Sequence, residues 1–426
     1  MPVSTAAPAA RKVWNMTRKV VITGLGATTP IGGDVPTFWR NALAGTSGAA
    51  TLEDDWVEKY QLPTTFACRV SNPAAEVLSR VEMKRMDPST QFGVVAAREA
   101  WADAGIEDMD KDRLGVAFAT GIGGVWTLLD AWDTLRERGP RRVLPMTVPM
   151  LMPNGVAAAV SLDLEARAAA HTPVSACASG TEALELGLEM IRSGRADVVV
   201  AGGAEAAIHP LPIAAFSSMQ ALSRRNDDPQ AASRPYDVDR DGFVMGEGAG
   251  ALVLEAEEFA KARGAHIYAE LAGAAVTADA HHITAPDPVG QGAIRALKAA
   301  MYDARVSPAD VVHVNAHATS TPVGDAPEYT ALLEALGSSL DDVAVSATKS
   351  QTGHLLGASG AIEAVLTVLA VRERKAPATI NLDHQDPAIP LNVVTTARDL
   401  PAGDVVAMSN SFGFGGHNAV AVFRNA

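Results

Sequence analysis

Hydrophobic residues in this chain form continuous apolar runs separated by stretches with helical spacing. The runs that predict strands lie at residues 18–24, 114–120, 197–203, 249–254, 311–314, 343–347 and 420–423. Helical spacing covers residues 87–103, 156–164 and 181–191. Because Val-rich runs without polar alternation are typical of strands buried on both faces, we predict an α/β fold whose parallel or mixed sheet is covered by helices.

A short repeat indicates that the fold contains two related halves. Thr-Pro-Ile-Gly at residues 29–32 and Thr-Pro-Val-Gly at residues 321–324 each follow a predicted strand. The copies fall in opposite parts of the chain, so we interpret them as a trace of duplication.

The glycines of residues 24–32 do not predict a dinucleotide site, since the third glycine of the dinucleotide-binding motif is missing.

Composition narrows the possible partners and compartments. The net charge of -14 argues against nucleic acid as the main partner, because phosphate binding requires clustered Lys and Arg. No apolar run approaches the roughly 20 residues of a membrane span, so none is predicted. Two cysteines without a CxxC spacing, Cys68 and Cys177, fit a protein of the reducing cytoplasm. No metal site is predicted from the sequence.

Cys177 is the candidate nucleophile. It lies in Pro-Val-Ser-Ala-Cys-Ala-Ser-Gly (residues 173–180), where an apolar strand would give way to the helix at 181–191. A thiol at a helix N-terminus faces unpaired N–H groups and the positive end of the helix dipole, so we expect a lowered pKa. The alternative is an inert thiol packed in the core, although its small neighbours leave room for a substrate.

Two histidines and a lysine follow strands in the second half. His317 comes after the run at 311–314, and Lys349 and His354 come after the run at 343–347. Ligands of open α/β sheets bind at this edge, so we expect these side chains to converge with Cys177. Residues 410–418 form a glycine-rich segment that can bring backbone N–H groups close to a substrate carbonyl, with an ordinary hairpin turn as the alternative.

These motifs together resemble the β-ketoacyl-acyl-carrier-protein synthases. The resemblance rests on the Cys177 segment, Asn-Ala-His-Ala-Thr-Ser-Thr-Pro-Val-Gly-Asp at 315–325, Lys-Ser-Gln-Thr-Gly-His at 349–354 and the segment at 410–418. Within the family the chain is most similar to synthase II of actinobacterial type.

The resemblance implies a thiolase-like fold made of two duplicated βαβαβαββ halves in a five-layer α/β/α/β/α sandwich. We expect a flexible extension at residues 1–16, an N-terminal half at 17–264 that carries the nucleophilic cysteine, and a C-terminal half at 265–426 that carries both histidines. A homodimer is also expected.

The activity that the resemblance implies is an acyltransferase reaction, the decarboxylative condensation of an acyl chain with malonyl-acyl-carrier-protein in fatty acid elongation. The substrates would be carried on the phosphopantetheine arm of the carrier protein, and no separate cofactor is expected. Cys177 corresponds to the nucleophile, His317 and His354 to the histidines that stabilise the enolate, and the N–H groups of Cys177 and Phe414 to the oxyanion hole. Lys349 corresponds to the family's active-site lysine.

Further roles follow from the resemblance alone. Lys349 with Glu363, and Asp325 with them, would organise charge around His354, and a buried ion pair without that role is the alternative. Thr319 and Thr321 correspond to residues that bind pantetheine. Ile122, Phe216 and Phe414 would line and gate the acyl pocket. Candidate basic residues for docking the acidic carrier protein are Lys84, Arg85, Arg141, Arg142, Arg224 and Arg225.

The sequence departs from the family pattern at Gln220, where an arginine is common in the docking patch, and at His417, where many relatives carry threonine.

The alternative function is the ketosynthase subunit of a type II polyketide synthase. A non-catalytic chain-length factor is less favoured because Cys177 is present. A CoA thiolase is less favoured because it would replace one histidine with a second cysteine.

Overall fold

Ten strands of the computed structural model, which describes residues 18–426, form one mixed sheet. Four further strands pair two by two beside it. The strands are β1 Val20–Thr28, β2 Ala50–Thr51, β3 Phe66–Ala67, β4 Leu114–Ala119, β5 Ala169–His171, β6 Val198–Glu205, β7 Gly248–Ala256, β8 Ala269–Ala278, β9 Val311–Asn315, β10 Ala344–Ser346, β11 Lys375–Ala376, β12 Arg398–Asp399, β13 Val406–Gly413 and β14 His417–Arg424. The extension predicted at residues 1–16 lies outside the described residues.

The helices connect the strands and cover the sheet. They are α1 Val35–Ala44, α2 Asp55–Lys59, α3 Arg80–Met83, α4 Pro88–Ala104, α5 Val125–Arg138, α6 Thr147–Leu151, α7 Gly155–Leu164, α8 Ser179–Arg192, α9 Pro210–Ser218, α10 Glu257–Ala262, α11 Gln291–Ala304, α12 Asp325–Leu336, α13 Lys349–Thr352 and α14 Ser359–Glu373. Between residues 18 and 426, no helix combines the length and apolar character needed to cross a bilayer.

Strand order shows the duplication. The sheet runs β10-β9-β13-β14-β8-β1-β7-β6-β4-β5. Counted outward from β1 or from β8, each set of five places its first, fifth, fourth, second and third strand in that order. Each set is a βαβαβαββ unit, and the two meet where β1 pairs antiparallel with β8. The predicted boundary between residues 264 and 265 falls in the segment between α10 and β8.

The repeat that suggested the duplication does not mark it. Residues 29–32 follow β1, the first strand of its unit, whereas residues 321–324 follow β9, the second strand of the other unit. The two copies therefore occupy non-equivalent positions. The prediction of two halves was right, but the reason given for it was wrong, because a four-residue match can arise by chance.

The helices complete five layers. α4 and α7 pack on the outer face of the first half-sheet, and α11 and α12 pack on the outer face of the second. α8 and α14 lie between the half-sheets and contact each other. In α14 every residue from Ser359 to Val371 is buried, as expected for a helix in a central layer. The predicted α/β/α/β/α sandwich is confirmed.

Local signals explain several boundaries. α4 begins after Asp87, whose carboxylate accepts from the backbone N–H of Ser89 at 3.0 Å, and it ends at Gly105 in the left-handed region. The predicted glycine-rich loop at 410–418 is shorter than expected, because β13 continues to Gly413 and β14 begins at His417. Only three residues form the hairpin turn.

Candidate active site

One cavity of about 650 Å³ brings together residues from both halves of the chain. Cys177 reaches it from the turn before α8, His317 from the loop after β9, and His354 from the segment between α13 and α14. The cavity lies at the carboxyl ends of the parallel strands β4, β6 and β9, where open α/β sheets bind ligands. The predicted convergence of these three residues is observed.

Cys177 lies in a strained turn. It belongs to a 3₁₀ turn, Ala176–Ala178, and Ala176 has a φ of 51°, in the left-handed region that disfavours a side chain. Gly413 packs against this turn so closely that an added Cβ would lie 2.6 Å from the Ser175 carbonyl oxygen and 3.0 Å from the Cys177 nitrogen. This contact places Phe414 beside the thiol, and the backbone N–H groups of Phe414 and Cys177 both act to lower the thiol pKa.

The thiol of Cys177 does not have the lowered pKa that its position predicted. Burial raises its pKa to about 11, against the opposing effects of the Lys349 charge and the Phe414 N–H. The side chain is only 9% exposed, so loss of hydration outweighs the helix terminus. In the free protein at neutral pH the group is therefore a thiol, and it must lose a proton to react.

The two imidazole rings lie edge to face with centroids 5.5 Å apart. Nδ1 of His354 hydrogen-bonds to Oγ of Ser359 at 2.8 Å, and its buried Nε2 has no partner among the described residues. Burial, aided by the positive charge of Lys349, lowers the pKa of His317 and of His354 well below the usual value. Both rings are neutral at pH 7, so each carries one N–H and one acceptor nitrogen.

Lys349 and Glu363 form a buried ion pair beneath the histidines, and each is 1% exposed. Burial raises the pKa of Glu363 to about 7, while Lys349 acts to lower it.

Asp325 lies in a different network from the one predicted. Its carboxylate accepts from the backbone N–H of Tyr236 at 3.0 Å and of Ser320 at 3.2 Å. Asp325 is the first residue of α12, so it lies at the opposite end of the loop after β9 from His317.

The residues predicted to bind the pantetheine arm and the acyl chain all line the cavity. Thr319 and Thr321 lie with their hydroxyl oxygens 3.0 Å apart. Phe216 and Phe414 have ring centroids 6.4 Å apart, and Ile122 lines the same space. Their polar and apolar character matches the two parts of an acyl-pantetheine.

The predicted docking residues are dispersed. Arg224 and Arg225 follow the lining residues Met219–Ala221 within a few positions. Lys84 and Arg85 lie in the loop between α3 and α4, whereas Arg141 and Arg142 lie in the 3₁₀ turn after α5. Within the described part of the chain, none of these six residues lines the cavity.

Sequence reasoning missed several polar residues that hold the site. Glu328 accepts from the backbone N–H of His317 at 2.8 Å and of Ala318 at 2.7 Å, and from Asn410 at 3.1 Å. Glu205 is a second buried carboxylate next to the cavity. Neither side chain belongs to a local pattern, since its partners are remote in sequence.

A true internal repeat could have identified Ser359. Ala-Ser-Gly occurs at 178–180 and again at 358–360, at the N-termini of the equivalent helices α8 and α14. The residues two positions before each copy, Ala176 and Leu356, share a φ near 50° (51° and 47°). The His354 turn is thus the structural counterpart of the Cys177 turn.

Known proteins resemble the chain along nearly all of its length. Residues 17–260 match the model of the Beta-ketoacyl synthase, N-terminal domain, and residues 268–383 match that of the Beta-ketoacyl synthase, C-terminal domain. The chain is 47% identical over 410 residues to 3-oxoacyl-[acyl-carrier-protein] synthase 2 of Staphylococcus aureus (strain N315), covering 96% of this chain and 98% of the relative. It is 45% identical over 405 residues to the protein of the same name from Mycobacterium bovis, covering 95% and 96%.

Solved structures show the same similarity. A Beta-ketoacyl synthase from Burkholderia phymatum is 35% identical with a TM-score of 0.88, covering 96% of this chain and 100% of that one. A type II PKS acyl-carrier protein in complex with its ketosynthase bound to the hexaketide gives 34% identity and a TM-score of 0.88, with the same coverage. Together with the shared fold, these matches show that the chain belongs to the beta-ketoacyl synthase family.

Proposed function

We propose that this chain condenses an acyl chain held on Cys177 with malonyl-acyl-carrier-protein, giving 3-oxoacyl-acyl-carrier-protein and carbon dioxide in fatty acid elongation. The observation that carries this proposal is the convergence of a thiol, two neutral imidazoles and two backbone N–H donors in one cavity. The synthase 2 relatives, 47% and 45% identical, favour this reaction over others of the family.

In the first half-reaction, the sulfur of Cys177 attacks the thioester carbon of an acyl-pantetheine. The new bond from sulfur to carbon replaces the pantetheine bond, and the departing pantetheine takes a proton. Since the pKa of the Cys177 thiol is about 11, a base must accept its proton, and a neutral imidazole in the same cavity can do so. The N–H groups of Cys177 and Phe414 would stabilise the oxyanion, a contribution of roughly 3 kcal/mol for each donor.

In the second half-reaction, malonyl thioester loses carbon dioxide and leaves its bonding electron pair as an enolate. His317 and His354 would each donate one N–H to the enolate oxygen, which requires neutral rings that keep a proton. The enolate carbon then attacks the acyl-Cys177 carbonyl. Collapse of this second oxyanion releases the Cys177 thiolate and the 3-oxoacyl product.

Lys349 acts through its charge. Its ammonium lies in an ion pair with Glu363, and it lowers the pKa of Cys177, His317 and His354. Keeping both rings neutral fits their role as hydrogen-bond donors to an anion. Glu328 would position His317 by fixing the backbone on either side of its Cα.

Substrate delivery follows from the cavity lining. Thr319 and Thr321 would bind the pantetheine amides, while Ile122, Phe216 and Phe414 would line and gate the acyl pocket. The acidic carrier protein would dock on basic surface residues, of which Arg224 and Arg225 follow the lining segment 219–221 most closely. A solved ketosynthase of this fold is in complex with an acyl-carrier protein.

A homodimer in the cytoplasm is part of the proposal. Exposed apolar side chains on α5, including Leu128, Trp132 and Leu135, supply surface of the kind that subunit interfaces bury. Both cysteines are free and buried, which fits a reducing compartment. Light scattering coupled to size-exclusion chromatography should give twice the 44.2 kDa chain mass.

The ketosynthase subunit of a type II polyketide synthase remains the second candidate, because a ketosynthase of that type shares the fold at 34% identity. One experiment separates the two. Purified protein is given saturated acyl-carrier proteins of increasing chain length with malonyl-carrier protein, and the products are identified by mass spectrometry. We expect this protein alone to extend each accepted acyl group once, by two carbons. Repeated extension without reduction, or activity only with a second subunit, would contradict elongation.

A further inference from the structure

Glu205 is the buried carboxylate next to the cavity that the proposed chemistry does not use. It ends β6 and has no exposed surface. In residues 18–426, no Lys, Arg or His nitrogen lies within salt-bridge distance of it. Burial raises the pKa of Glu205 to about 7, and because a buried charge without a cationic partner is costly, its charged form depends on four hydrogen bonds that oppose this shift.

These four bonds join the two halves of the molecule. Oε2 accepts from the backbone N–H of Gly121 at 2.8 Å and of Gly357 at 3.0 Å. Oε1 accepts from the hydroxyl of Thr120 at 3.1 Å and from the N–H of Ile122 at 3.3 Å. Gly357 comes from the second half, whereas residues 120–122 follow β4 of the first. A single oxygen therefore bridges two segments that lie 236 positions apart (357 minus 121) in the chain.

The two bridged segments press against each other. A Cβ added to Gly357 would lie 2.1 Å from the Gly121 nitrogen, and one added to Gly121 would lie 2.7 Å from Oε2 of Glu205. Backbones can approach this closely only without side chains. Their two N–H groups need a shared acceptor at this contact, and the carboxylate supplies it.

Each bridged segment carries a residue of the proposed reaction. Ile122 lines the acyl pocket. Gly357 lies in the turn between His354 and Ser359, whose hydroxyl bonds to Nδ1 of that histidine at 2.8 Å. Cys177 lines the same cavity, and the carboxylate of Glu205 acts to raise its pKa.

We propose that Glu205 is a positioning residue that sets the acyl pocket at Ile122 and the His354 turn in register around Cys177. This inference rests on the proposed function for the roles of those three residues. Since one carboxylate holds both segments, its loss should slow both half-reactions, acylation of Cys177 and decarboxylation of malonyl-carrier protein.

Glu205→Gln is the informative variant. Three of the four partners are backbone N–H groups, so an amide NH₂ in place of either oxygen would face at least one N–H group and lose its bond, and only the Thr120 hydroxyl could accept from the amide. Glu247→Gln is the matched control. Glu247 is also buried with a pKa raised to about 7 by burial, yet the hydrogen-bonding group that acts on this pKa is a single backbone N–H, that of Val70, to which a glutamine can still present its oxygen.

The test measures both half-reactions in the full chain. We expect Glu205→Gln to slow acylation and decarboxylation each by roughly 10- to 100-fold, as for misplacement of reacting groups by about 1 Å. Thr120→Val keeps the charge, removes one donor and should give a smaller loss in both. Rates for Glu205→Gln that match those of Glu247→Gln, or a loss confined to one half-reaction, would overturn the proposal.

A second measurement needs no acyl substrate. The rate at which iodoacetamide alkylates Cys177 is measured against pH, and this alkylation profile reports the fraction of thiolate. The charged groups that act on the pKa of this thiol are Lys349 and Glu205. Removal of the Glu205 charge should shift the alkylation profile to lower pH, whereas Glu247→Gln should leave it in place. An unshifted profile would contradict the proposal even if wild-type protein failed to condense acyl chains, so the two failures are distinguishable.

Discussion

Lys349 and Glu363 illustrate how one buried pair can serve both stability and chemistry. Each side chain is 1% exposed, and the ammonium acts on Cys177 and on both histidines. Removing one partner of such a pair leaves a buried charge, whereas removing both leaves none. Variants of the pair can therefore separate the structural contribution from the catalytic one.

Lys349→Met should lower the free energy of unfolding by roughly 3 kcal/mol and reduce condensation strongly, because Glu363 loses its partner. The double variant Lys349→Met/Glu363→Gln should recover most of the stability but little of the activity. Chemical denaturation and condensation rates are the measurements. Full recovery of activity in the double variant would show that the lysine charge has no part in the reaction.

At residue scale, sequence reasoning found the chemical groups but not their protonation. Cys177, His317, His354 and Lys349 were identified from motifs after strands and from resemblance, and all four lie in or beneath the cavity. The thiol pKa was predicted in the wrong direction, because burial depends on tertiary contacts such as that of Gly413 with the Cys177 turn. Glu205 and Glu328 were missed for the same reason.

At the scale of elements, the β13–β14 hairpin positions half of the proposed oxyanion hole. Gly413 allows β13 to approach the Cys177 turn, and the N–H of the next residue, Phe414, acts to lower the pKa of the thiol. The duplication supplies the other elements, since the equivalent turns before α8 and α14 carry Cys177 and His354 at different positions and bring both to one cavity. The match between residues 29–32 and 321–324 could not reveal the equivalence of the two turns, whereas the Ala-Ser-Gly repeat and the strand order do.

Gly413→Ala should slow acylation of Cys177 by roughly 100-fold, the usual effect of losing one oxyanion donor. The added methyl group would meet the Ser175 carbonyl oxygen at 2.6 Å and displace the Phe414 N–H. Gly403→Ala is the control for backbone strain alone, because Gly403 has a φ of 99°, which disfavours alanine, but an added Cβ there meets nothing within 4 Å. Acylation rates from quenched-flow mass spectrometry that are equal in the two variants would contradict this account of the hairpin.

For the whole molecule, the hydrophobic pattern predicted an α/β sheet covered by helices, because strands buried on both faces need helices on both sides, whereas the five layers came from the family resemblance. Strand order, the meeting of β1 with β8 and the close packing of Gly121 on Gly357 could not be predicted, since they depend on long-range contacts. Those same contacts bury many ionisable groups. The pH dependence of stability therefore reports on the assembled core.

Stability should increase as pH falls from about 8 to about 6.5. Burial raises the pKa of six carboxyl groups to about 7, namely Glu99, Glu185, Glu205, Glu247, Asp325 and Glu363. The pKa of each of these groups is near 4.5 or below in the unfolded chain and about 7 in the folded protein. Between these two pH values the folded state binds more protons than the unfolded state. The contribution of each group to stability therefore grows as pH falls through 7 and is lost as pH rises.

Three buried histidines act in the opposite direction below pH 6.5. The pKa of His313 falls to about 4 through burial, and those of His317 and His354 also lie well below the usual value. The unfolded chain then takes up the protons, so these groups reduce stability as pH falls further. Thermal unfolding followed by circular dichroism should show a higher midpoint at pH 6.5 than at pH 8, and a lower midpoint at pH 6.5 would contradict the buried-carboxyl account.

The most direct test of the central claim is the mass of the Cys177 peptide after incubation with an acyl-carrier protein and no malonyl donor. The account predicts that the wild-type peptide gains one acyl group, that malonyl-carrier protein then removes it as 3-oxoacyl product, and that Cys177→Ala gains none while keeping some decarboxylation. An acyl group on another residue, or full condensing activity in Cys177→Ala, would contradict it.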